Sequence, residues 1–166
     1  MADDSLPAVQ AALARPVPER IFQIKRALLL GMSVEEVFQR TKVDPWFLRQ
    51  FAEIVEAERA YAALPTVGEP EMRRMKRMGF ADVQLARLRG ETEQAVRQHR
   101  WALGVRPAYK MVDTCAGEFP SNTPYLYSSY DEESEAPRTG RKSVVILGSG
   151  PNRIGQGVEF DYMCVR

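Results

Sequence analysis

The chain has 166 residues, 45% hydrophobic and 27% charged, with a formal net charge of +1. That is ordinary globular composition, enough for one core or one and part of another, with no strong overall pull toward nucleic acid or acidic membranes. No apolar run approaches the ~20 residues that span a bilayer, and the acidic Met1-Ala2-Asp3-Asp4 start lacks a secretory pattern. Two isolated cysteines, Cys115 and Cys164, fit a reducing cytosol rather than a disulfide scaffold.

The first part reads as short helices. Pro18 suits a first helical position, Ile21, Ile24 and Leu28 fall on one face, and Gly31 is a stop. Ser33 and Glu36 form a capping box, flanked by Met32 and Val37 as a hydrophobic staple. Asp44-Pro45 starts the next helix, with Val43 and Leu48 as a second staple. Phe47, Phe51, Ile54, Val55 and Glu58 follow at helical spacing, and Pro65 ends the element. Trp46 and Phe47 read as core on that spacing.

Residues 71–103 hold three more short helices punctuated by Gly79, Gly90 and Gly104. Met72, Met75 and Met78 share a face in the first, Leu85 and Leu88 in the second. Thr92 caps the third, with Val96 and Leu103 inward. Residues 1–106 are therefore expected to form one all-α domain of about six helices. Residues 71–106 carry 9 basic and 4 acidic residues, a net +5 against −2 on either side. A helix-turn-helix reading DNA is one reading of this block. The arginines recur on several faces, however, which favours a solvated basic face packing on acidic neighbours.

Residues 107–142 read as an ordered, extended inter-domain segment, because Tyr109, Phe119, Tyr125, Tyr127 and Tyr130 would be foreign to a disordered linker. Asp131 to Glu135 reads as a solvated acidic loop, and Cys115 as a buried structural thiol. His99, the single histidine, excludes multi-histidine metal sites.

Residues 143–166 look like the start of an α/β domain. Val144-Val145-Ile146-Leu147 suits a strand buried on both faces, and a glycine-rich turn and a nascent helix from Val158 follow. A lone parallel strand has no partners for its two edges, so the pattern predicts a piece of a longer chain. Gly148 and Gly150 fit a dinucleotide fingerprint, but Arg153 stands at its third glycine. Gly150 and Gly155 have P-loop spacing, but Gln156-Gly157 replace the lysine and hydroxyl. A close-packed turn is favoured over phosphate binding.

Two runs carry a resemblance. Tyr109-Lys110-Met111-Val112-Asp113-Thr114-Cys115-Ala116-Gly117-Glu118-Phe119 resembles a segment of carbamoyl-phosphate synthase large chains. Leu147-Gly148-Ser149-Gly150-Pro151-Asn152-Arg153-Ile154-Gly155-Gln156-Gly157-Val158-Glu159-Phe160-Asp161-Tyr162 resembles the opening of that family's second synthetase half. Thr41 to Leu48 and Met75 to Phe80 look like its helical oligomerization domain.

The resemblance implies a mainly α chain: an oligomerization domain, the extended crossing, and the first strand and helix of an α/β pre-ATP-grasp (Rossmann-like) domain. It implies an ATP-dependent ligase making carbamoyl phosphate from bicarbonate and glutamine-derived ammonia, for arginine and pyrimidine biosynthesis in the cytoplasm. The implied partners are a glutamine amidotransferase small subunit and further copies of the chain, with no nucleic acid and no membrane. ATP and Mg or Mn belong to the full-length enzyme, not to this piece, for which no catalytic, cofactor or metal residues are expected. It further implies that Gly157, with Arg153 and Gln156 beside it, lines an internal tunnel. A stand-alone helical interaction or DNA-binding module is the alternative.

Overall fold

A computed structural model of the chain describes residues 5–120, 123, 125–136, 140–142 and 144–145. The chain divides into two compact units, Met1–Glu135 and Ala136–Arg166.

Helix boundaries in the first unit follow local chemistry. Helix α1, Leu6–Leu13, is capped by Ser5, whose hydroxyl accepts the Ala8 N–H at 3.4 Å. It precedes the first helix expected from sequence. Helix α2, Arg20–Leu29, has Glu19 as its cap, so Pro18 lies just outside the helix and not at its first position. Gly31, at φ +93°, closes α2: its N–H donates to the Leu28 carbonyl, and the Met32 N–H to that of Ala27. This is the Schellman pattern, and glycine adopts its left-handed conformation at least cost.

Helix α3, Val34–Thr41, opens with the expected capping box. The Glu36 N–H donates to the Ser33 hydroxyl at 3.2 Å, and the Ser33 N–H to the Glu36 carboxylate at 2.7 Å. Helix α4, Pro45–Ala63, is the longest. Asp44 accepts the Trp46 N–H at 2.7 Å, and the extended residue Leu64 stops the helix before Pro65. Helices α5 (Glu69–Arg77), α6 (Asp82–Arg89) and α7 (Glu93–Ala102) end ahead of Gly79, Gly90 and Gly104, as the glycine spacing implies. Thr92 caps α7 through the Ala95 N–H at 3.2 Å. None of these helices is long and apolar enough to cross a membrane.

Two apolar cores form, and α4 serves both. The first gathers Val9, Leu13, Ile24, Leu28, Val37, Leu48 and Val55. The second gathers Tyr61, Met72, Met75, Leu85, Val96 and Val105 around the far end of α4.

The segment after the helices is a hairpin. Strand β1, Ala108–Met111, pairs antiparallel with β2, Leu126–Ser129, in the register Ala108↔Ser129 to Met111↔Leu126. Asp113 folds the connecting loop by accepting the Cys115 and Gly117 N–H groups at 2.8 and 2.7 Å. The acidic stretch does more than meet solvent. The Glu135 carboxylate accepts the Met111 N–H at 2.7 Å, and its own N–H donates to the Tyr109 carbonyl. The free edge of β1 is thereby covered. The Met111 hydrogen bond, with Lys110 3.3 Å away, holds the Glu135 carboxyl below its usual range.

In the second unit, Val144 and Val145 are 88% and 80% exposed and carry no strand, contrary to the buried strand expected there. A strand buried on both faces takes that burial from flanking strands and covering helices, and at this exposure Val144 and Val145 have neither among the described residues. The rest of that expected strand, its glycine turn and Cys164 lie outside the described residues.

Candidate functional site

Charge concentrates in one buried place. Asp82, at the first position of α6, is 8% exposed, with Lys76 from α5 and Arg100 from α7 equally covered. Arg100 grips the carboxylate in a fork, Nη2 to Oδ2 at 2.8 Å and Nε to Oδ1 at 3.0 Å, and Lys76 Nζ donates to Oδ1 at 3.0 Å. The cations are held on their other sides as well: Arg100 Nη1 donates to the Val105 carbonyl and Lys76 Nζ to the Phe80 carbonyl. Arg97 lies 3.8 Å from the same carboxylate. Burial by itself would raise the Asp82 carboxyl, but the hydrogen bonds from Arg100 and Lys76 outweigh it and hold the group below its usual range. The basic block is thus not wholly a solvated face: two of its cations are buried around an acid from the same block.

This cluster also holds the hairpin. The Tyr130 ring lies 5.2 Å from Lys76 Nζ and 5.8 Å from the Arg100 guanidinium, and its carbonyl accepts from Arg77 Nε at 3.2 Å. Tyr130 packs against the second core as well, so cation–π contact and burial act together. With both Asp82 oxygens accepting from Lys76 and Arg100, the arrangement clamps α5, α6, α7 and the chain after β2.

The lone histidine is similarly committed. His99 Nε2 lies 2.8 Å from the Val67 carbonyl, and Arg89 Nη1 donates to the Tyr61 and Leu64 carbonyls at 3.2 and 2.7 Å. Both line a cavity of about 380 Å³ between the end of α4 and α7, where they pin the 64–67 connection. Cys115 is half-buried in the hairpin loop, its Sγ 3.9 Å from the Thr114 hydroxyl, and not the fully buried thiol expected. Among the described residues, no group of three or more His, Cys, Asp or Glu side chains is placed to hold a metal ion.

The surface departs from expectation at Trp46 and Phe47. Read as core, they are 56% and 55% exposed, stacked edge to face with centroids 5.0 Å apart. Leu48 is the residue of that turn that points inward, at 0%. Gly157, Arg153 and Gln156 lie outside the described residues. The Asp82 cluster escaped the sequence reading, because its partners come from three helices; the one trace was an acid inside a basic block.

The comparisons with known proteins agree on one family. The model described as carbamoyl-phosphate synthetase large chain, oligomerisation domain, matches residues 2–104, and that described as carbamoyl phosphate synthase preATP-grasp domain matches residues 140–166. The chain is 63% identical over its whole length to the carbamoyl phosphate synthase large chain of Gemmatimonas aurantiaca. It is 53% identical over 95% of its length to that of Rubrobacter xylanophilus, and 54% over 91% to that of Streptomyces avermitilis. It spans 15%, 15% and 14% of the lengths of these relatives.

Proposed function

We infer the role of this chain from its family: it belongs to the carbamoyl-phosphate synthetase large chains, matched through their oligomerisation domain. In our reading its helical unit is an association domain, and residues 140–166 lead into the pre-ATP-grasp domain of the half that makes carbamoyl phosphate. The whole protein would be a cytoplasmic ATP-dependent ligase. It would join bicarbonate to ammonia released from glutamine by an amidotransferase small subunit, supplying arginine and pyrimidine biosynthesis. Mg or Mn with ATP would be held by parts of the protein beyond this chain, and we assign no catalytic step to the residues described.

The observation that carries the reading is the match over residues 2–104. It accords with a helical unit whose buried charges are spent on clamping and whose exposed aromatics face solvent. The full-length protein, supplied with bicarbonate, Mg·ATP and ammonia, should form carbamoyl phosphate. Failure to form it with either ammonia or glutamine plus the small subunit would overturn the assignment. We also propose that Gly157, with Arg153 and Gln156, borders the internal tunnel, its missing side chain keeping the passage open. In the full-length enzyme Gly157→Leu should lower the carbamoyl phosphate formed per ATP hydrolysed. An unchanged ratio would remove that role.

A further inference from the structure

We propose that the exposed face of the first half of α4, centred on Trp46 and Phe47, is where this domain meets a second copy of itself. The proposal rests on the association role given above and names its surface.

Position along the helix defines the face. Leu48 and Val55, at 0% and 2% exposure, point into the first core. Trp46, Phe47 and Ile54 emerge on the other side at 56%, 55% and 37%, with exposed Gln50 between them by helical spacing. The surface is already ordered. Asp44 holds the Trp46 N–H, Pro45 fixes the first turn, and the two rings brace each other at 90°. Rigid aromatics lose little freedom on association, which is why such pairs act as anchors.

Area sets the scale. Two aromatic side chains of ~150–250 Å² each, about half exposed, offer roughly 200 Å² together, against ~800 Å² per partner in a standard interface. The pair is therefore the anchor of a contact whose remainder is rim.

The rim argues for a second copy in particular. Arg49 and Glu53, both exposed, lie four residues apart along one flank of this face. In an antiparallel two-fold pairing that flank meets its own copy end for end. A two-fold near residue 51 brings Arg49 opposite Glu53 of the second copy, and Phe47 opposite Ile54. One axis thus satisfies the charged flank and the apolar stripe together, and a two-fold contact of this kind closes on itself.

Sedimentation velocity of the full-length protein over a concentration series tests this. The wild type should associate. Trp46→Ser combined with Phe47→Ser should raise its dissociation constant at least about 30-fold, as expected for an anchor pair. Arg49→Glu should weaken association, and adding Glu53→Arg should restore it. All four changes are at exposed positions; should the double serine variant lose its circular dichroism spectrum, the charge swap decides alone. A wild type that associates while the double variant associates as tightly, or a swap that does not restore, overturns the proposed face and leaves the association role standing. A wild type that stays monomeric at every concentration overturns the association role itself. Loss of carbamoyl phosphate synthesis with association intact would place the face against another domain of the same chain, and also overturns the proposal.

Discussion

From α1 to Val55 the core is built of aliphatic side chains, and the charged residues of that half stand outside it or at its seam, as with Lys25 and Glu58 at 2.6 Å. From Ala57 to Val105 the core also takes in the aromatic rings of Tyr61 and Phe80, and it is stitched across by a buried carboxylate and two buried cations. The difference matches what each half must hold. Helices packing on helices need only shape and apolar area. The second half must also fix a two-stranded hairpin that cannot stand alone, and Tyr130 gives it a point of attachment over Lys76 and Arg100. The first half has no hairpin to carry and leaves Phe22, Trp46 and Phe47 at its surface, while Phe38 and Phe51 pack partly buried against its core.

The contrast can be broken most forcefully at Asp82. Asp82→Ala would leave Lys76 and Arg100 buried without their counter-charge, and should destabilise the protein by about 3–5 kcal/mol in urea unfolding, with the 130–135 segment losing hydrogen-exchange protection. A loss under about 1 kcal/mol would mean that water reaches these cations. In the first half, Leu48→Ala should cost about 2–5 kcal/mol through its cavity and leave protection at residues 130–135 unchanged relative to global stability.

The smallest effect sharpens the same contrast through acid. The Asp82 carboxyl is held below its unfolded value of about 3.9, so its contribution is complete above that pH and disappears as pH falls through the folded value. Leu48→Ala should keep this acid-dependent loss, whereas Asp82→Ala should lack it. Parallel acid profiles for the two variants would contradict the stabilising role of the ion cluster.

What could be read from sequence was what neighbours in the chain decide. Ser33 with Glu36, Asp44 with Pro45, Thr92, and the glycines at 31, 79, 90 and 104 act within a few residues, and the structure places them as helix ends. Helix α1 went unread because Leu6–Leu13 has few polar residues to mark a face; its stability comes from Val9 and Leu13 entering a core made by other helices. Trp46 and Phe47 misled because periodicity marks a face but does not say what covers it. The hairpin was legible only as an extended, aromatic stretch, since its register depends on Glu135 and Tyr130 reaching back more than twenty residues. The family resemblance, carried by the runs from Tyr109 and from Leu147, agreed with the comparisons. The residues it assigned to a tunnel, Gly157, Arg153 and Gln156, remain a proposal.

Helix α4 has a mechanical meaning beyond its place in either core. Its 19 residues, at ~1.5 Å rise each, make a strut of about 28 Å whose front half anchors one core and whose rear half anchors the other. Neither core can melt without fraying the strut that the other needs, so the two should unfold as a single cooperative unit. A load applied at Trp46 would be borne as far as Tyr61 with little bending, which makes the helix a stiff axle between the outer aromatic face and the half that grips the chain leading onward.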